Sequence, residues 1–100
     1  MTDSQAEPVD TESLRAEIAE IDQQLMLLLG LRFRCTDQLS EKLVSEGVQE
    51  DPGDGEGRVA FMEGLALDTG VSPVLAVGLM KAVAKAVAEN HQRIKASRSH

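Results

Sequence analysis

Two cations interrupt a helical stripe that is otherwise apolar. From Leu14, apolar side chains recur at Ile18, Ile21, Leu25 and Leu28. The same alternation of four and three then meets Arg32, passes Cys35 and Leu39, and meets Lys42. A cation in such a stripe must be paired or must face a polar cavity. One reading is local: each stem covers apolar surface while the head group reaches water or an acid such as Asp22 or Asp37. The other is a polar pocket. A pocket lined by guanidinium and ammonium groups takes an anion, a carboxylate above all. Arg15, beside Leu14, is either a surface arginine or one that reaches into the pocket of a second chain crossing the first.

The remaining reactive side chains do not combine into a covalent mechanism. His91 and His100 lie near the end of the chain, away from any serine–acid or cysteine–acid pattern, so no nucleophile–base pair is legible. Cys35, the only cysteine, cannot form an internal disulfide, which fits a reducing cytoplasm. Its place in the stripe predicts a small buried hydrophobe. Asp51, Asp54 and Glu56 lack the spacing of a helix–loop–helix calcium site, and no metal is expected. No glycine-rich phosphate loop leads into a helix with a lysine. Chemistry on this chain would rest on binding and electrostatics.

The elements that must hold these residues are helices. The chain has 100 residues, 42% of them apolar, with two Phe and no Trp or Tyr. An aliphatic composition of that kind suits an all-α domain. Residues 1–9 read as a disordered lead-in, and 10–97 as one helical domain. Asp10 is placed to cap a first helix that the stripe carries to about Ser45, with Gly47 as its stop. At 1.5 Å per residue that helix spans about 50 Å, against a radius of gyration of about 13 Å for a compact chain of this size. Its stripe therefore needs a second chain.

The segment Gly47 to Gly57 is an acidic loop. A short helix follows, Arg58 to about Thr69, burying Val59, Phe61, Met62, Leu65 and Ala66 and ended by Gly70. Ser72-Pro73 opens a third, medium helix to about Ile94. Leu75, Leu79, Ala82, Val83, Ala86, Val87 and Asn90 make up its expected inner stripe. A net charge of −7 argues against nucleic-acid binding. The basic last ten residues read as a solvated helix end. The longest apolar run, Leu25 to Leu31, is too short to cross a bilayer.

The pattern Leu14-Arg15-x-x-Ile18-x-x-Ile21-Asp22-x-x-Leu25-x-x-Leu28-Leu29-x-x-Arg32 resembles the opening helix of the small helical chorismate mutases. The long–short–medium helix order and the Gly70-Val71-Ser72-Pro73 entry to the third helix resemble that family too. The resemblance covers about Glu12 to Gln92. It implies an intertwined homodimer whose sites are completed by the partner's first helix. It also implies a Claisen rearrangement of chorismate to prephenate, or of the close analogue 4-amino-4-deoxychorismate, with no cofactor. Confinement of a dicarboxylate and a cation at the breaking ether oxygen would supply the catalysis. The alternatives are a catalytically degenerate binding or regulatory module, and an isochorismate pyruvate lyase.

Carried over residue by residue, the resemblance gives Arg15 to the partner's site and Arg32 to a substrate carboxylate. The family's lysine at the ether oxygen falls on Leu43, with Lys42 beside it. Its arginine–glutamate pair falls on Gly55 and Glu56, with Arg58 three residues on. A polar residue and a glutamine of the third helix fall near Val87 and His91. Of the ten basic residues, Arg34 lies round the helix from the stripe. Lys81 and Lys85 lie on a flank, and Arg93, Lys95 and Arg98 near a helix end. That leaves Arg15, Arg32, Lys42 and Arg58. The resemblance then implies Lys42 or Arg58, with Glu56, as the catalytic groups, and Arg15, Arg32, Val87 and His91 as the substrate contacts.

Overall fold

The structure, a computed structural model, describes residues 10–49, 52 and 56–98, and for residues 56 and 57 the backbone alone. Three helices follow one another: α1 (Thr11–Ser45), α2 (Glu56–Thr69) and α3 (Pro73–Arg98). No strand occurs among the described residues. The all-α expectation is met, with one change. The third helix is long, 26 residues rather than a medium element ending near Ile94. Nothing from Lys95 to Arg98 breaks a helix, and Lys95 and Arg98 put positive charge in its last turn. The expected lead-in at 1–9, Asp51 and Asp54 lie outside the described residues.

Both ends of α1, the end of α2 and the start of α3 form where the sequence places them, whereas α2 begins at Glu56, two residues before the expected Arg58. At the start of α1 the Glu12 N–H donates to Asp10 Oδ1 at 3.4 Å. At its end Gly47 adopts φ 71°. Val48 N–H donates to Leu43 O at 2.9 Å and Gly47 N–H to Val44 O at 3.1 Å, the paired bonds of a left-handed glycine cap. Gly70, at φ 77°, ends α2 in the same way, with Val71 N–H donating to Ala66 O at 2.9 Å. Any other L-residue at these two positions would be strained. One residue on, Ser72 Oγ accepts from Leu75 N–H at 3.3 Å, and Pro73 fills the first helical position. Ser72→Ala should therefore cost about 1 kcal/mol. That lowers the thermal midpoint by roughly 4–8 °C in a chain of this size, which a circular dichroism melt will read.

Packing divides the chain into two units, one through Arg32 and one from Phe33 onward. In the first, the apolar stripe of α1 is open to solvent: Leu14, Ile18, Ile21, Leu25 and Leu28 are 44–61% exposed. In the second, α2 and α3 pack as a hairpin with small residues, Ala66 and Ala76, buried. The buried stripe of α3 is Ala76, Val83, Val87 and His91, while Leu75 and Leu79 are exposed. This corrects the expected stripe, of which Val83 and Val87 alone are buried. Its face was assigned from the bulk of Leu75 and Leu79, whereas the hairpin turns the smaller side chains inward. Phe61 and Leu65 of α2 are exposed as well. Cys35, expected to be buried, is exposed, because none of the described residues covers it. No helix among the described residues is long and apolar enough to cross a membrane.

Candidate functional site

Arg15 and Arg32 belong to the first unit. Arg15 is exposed and Arg32 half-buried. Lys42, Glu56, Arg58, Val87 and His91 belong to the second. There Lys42 turns outward: its side chain is 72% exposed and its Nζ lies 3.3 Å from Glu46 Oε2. An exposed i,i+4 pair of this kind contributes about 0.3–0.5 kcal/mol. Arg58 is also exposed, its guanidinium 5.7 Å from the centre of the Phe61 ring. Neither cation is aimed into the buried interior of its own chain, which weighs against either as the charge at a reacting ether oxygen. The side chain of Glu56 lies outside the described residues.

Leu43 takes the inward position instead. It is 8% exposed and, with Ser40, makes up the buried set of α1. Helix geometry explains the exchange. An α-helix drifts about 20° per heptad against a strict seven-residue repeat. Four heptads separate Leu14 from Lys42, so the accumulated drift is about 80°. The next residue, about 100° further round, falls back on the stripe. Val87, 2% exposed, is packed into the core of the second unit. The positions that the resemblance gives to a lysine and a polar side chain are therefore closed by aliphatic groups.

His91 is the exception among these inward residues. It is 7% exposed, and its buried Nδ1 has no hydrogen-bond partner among the described residues. Native cores rarely leave such an atom unmet. Beside it, Asn90 Nδ2 donates to Asp37 Oδ1 on α1, and Arg93 Nη2 donates to Asn90 Oδ1 at 3.1 Å. Asp37 thus accepts from Asn90, while Lys42 lies against Glu46. Sequence reasoning placed Asn90 on an inner stripe but gave it no task. Its spacing of three from Arg93 was the available signal. Further along, Arg98 Nη2 lies 3.8 Å from Glu41 Oε1 in an exposed pair.

Surface grooves lie elsewhere. One of about 400 Å³ is lined by Glu63, Pro73, Val74, Val77, Gly78 and Lys81. A second, of about 680 Å³, is lined by Ser13, Ala16, Glu17, Ala19, Glu20 and Gln23. Neither contains a residue expected at the site. Among the described residues, no three His, Cys, Asp or Glu side chains gather to hold a metal ion. Compared with protein-family models, with curated proteins and with solved structures, the chain matches none.

Proposed function

We propose that the chain is a homodimeric helical module of the chorismate-mutase type that binds a small dicarboxylate of the chorismate class without rearranging it. The observation that carries this reading is the pair of neighbours on α1. Leu43 is buried where the resemblance asks for a lysine, and Lys42 is exposed and held by Glu46. Binding needs cations for the carboxylates, and Arg15 and Arg32 are the candidates. Rearrangement also needs a positive donor at the ether oxygen. Losing one such donor costs about 2.7–4 kcal/mol of barrier, or 10² to 10³ in rate. The exposed stripe of α1 supports the dimer. Fully burying each Leu or Ile contributes roughly 1.5–3 kcal/mol, and a second copy brings an equal stripe.

One observation favours a second reading, retained mutase activity on chorismate or 4-amino-4-deoxychorismate. The unpartnered His91 Nδ1 stands where the resemblance places the glutamine, and a buried imidazole can donate a hydrogen bond there. Two measurements separate the readings. Calorimetric titration with chorismate is expected to give saturable binding. Incubation with chorismate, isochorismate and 4-amino-4-deoxychorismate in turn, read by mass spectrometry, is expected to give no product. A rearranged product would establish the second reading, and released pyruvate a lyase. Absence of both binding and turnover would overturn the dicarboxylate site altogether.

A further inference from the structure

We propose that the outer groove of the α2–α3 hairpin is a two-fold contact between copies of this chain, distinct from the α1 stripe and independent of any dicarboxylate site. The groove, of about 400 Å³, has Glu63 on its α2 wall and Val74, Val77, Gly78 and Lys81 on its α3 wall. Its rim is apolar and open. Val74 is 83% exposed, and Leu67, one turn past Glu63, is 73% exposed. These are the most open large apolar side chains among the described residues. Two helical glycines stand beside the groove. Neither Gly64 nor Gly78 adopts a positive φ, and a Cβ on either would meet no atom within 4 Å. Glycine weakens a helix relative to alanine, and the packing of the hairpin itself makes no use of these two. A second helix lying close on this face would use both.

The charges point to the occupant. Glu63 and Lys81 are exposed, and among the described residues neither has an ion-pair or hydrogen-bond partner. Glu63 lies seven residues before Gly70 and Lys81 eight after Pro73, so both stand about 10–12 Å along their helices from the turn. A two-fold axis along the groove lays α2 of each copy over α3 of the other. Glu63 then meets the partner's Lys81 at matching height, and Lys81 meets the partner's Glu63. Gly64 and Gly78, six residues before Gly70 and five after Pro73, also come opposite one another across the contact. Leu67 and Val74 supply its apolar part. An interface that joins the same patch on two subunits must be self-complementary in this way. A partner of one charge sign would be repelled by one of the two walls. Because the contact lies on α2 and α3, it doubles whatever species the α1 stripe forms, taking a dimer to a tetramer.

Charge reversal tests this. A handful of side chains per copy falls short of the roughly 20–30 of a standard interface, so the association is weak. Wild type at about 0.5 mM and low salt should sediment with twice its mass at about 10 μM, as weak, partly ionic contacts do. Glu63→Lys and Lys81→Glu should each keep the lower mass at both concentrations, since like charges then face each other twice. An equal mixture of the two variants, or Glu63→Lys/Lys81→Glu in one chain, should restore the doubling. Gly78→Leu, which fills the groove without touching its charges, should prevent it. All four positions of substitution are exposed or open, and a circular dichroism spectrum confirms that each variant keeps its helices. Wild type that holds one mass up to 0.5 mM overturns the contact and leaves the groove to a different chain. Doubling that survives Gly78→Leu and both single reversals overturns it as well, by placing the association elsewhere. Neither result touches the dimer through α1 or the binding of chorismate, which are read at low concentration and by calorimetry.

Discussion

Replacing Ile21 and Leu25 together with glutamate should abolish the proposed dimer and most of the helix signal with it. Both side chains are about half exposed in one chain, at 52% each, so a single copy leaves most of their burial unrealised. In a dimer through this stripe, each contributes roughly 1.5–3 kcal/mol, and each substitution occurs in both copies. A glutamate there must also be desolvated or must open the seam to water. Together these losses rival the 5–15 kcal/mol that holds a typical domain folded. Sedimentation equilibrium and ellipticity at 222 nm provide the readout. Gln23→Glu, on the opposite side of α1 from Ile21 and Leu25, is the control and should leave both signals as in wild type. If the Ile21→Glu/Leu25→Glu variant sediments as a folded dimer, the stripe is not the interface. If wild type is a folded monomer at micromolar concentration, the dimer itself is wrong.

The parts of this architecture that were legible in the sequence are those with a local cause. Asp10, Gly47, Gly70 and Ser72-Pro73 each satisfy backbone groups within a few residues, so their roles can be read without knowing what packs where. The helices follow from them. What the sequence left hidden depends on rotation about an axis. A seven-residue repeat carried through Arg32 to Lys42 selects the wrong neighbour after four heptads, and Leu43 is buried in its place. The bulk of Leu75 and Leu79 suggested the inner face of α3. The buried face is lined by Ala76 and Val83 instead, because the α2–α3 hairpin admits small side chains. At the candidate site, Arg15 and Arg32 could be named from the stripe and the resemblance. The Asn90–Asp37 hydrogen bond could not, since the two are 53 residues apart and only the fold makes them partners.

The second large effect concerns Arg32, and it separates Arg32 from the other cation of the apolar stripe. Arg32→Ala should weaken chorismate binding by roughly 10- to 100-fold, because a guanidinium–carboxylate contact contributes about 1.5–3 kcal/mol. Lys42→Ala should change the affinity by less than about twofold. Both interrupt the same stripe, but the resemblance gave Arg32 to a substrate carboxylate and Lys42 only a place beside the lysine position, and their surroundings distinguish them further. Arg32 is half-buried, so its charge is only partly screened by water. Lys42 is exposed and already paired with Glu46, so removing it forfeits an interaction that water largely replaces. Arg32→Lys sharpens the test. Lysine keeps the charge but not the two parallel donors of the guanidinium, so it should recover only part of the affinity. Calorimetric titration of the three variants beside wild type gives the ranking. Equal losses from Arg32→Ala and Lys42→Ala would mean that the ligand is held by general positive charge. Full affinity in Arg32→Ala would remove the carboxylate contact from α1 and leave the dicarboxylate site without its main anchor.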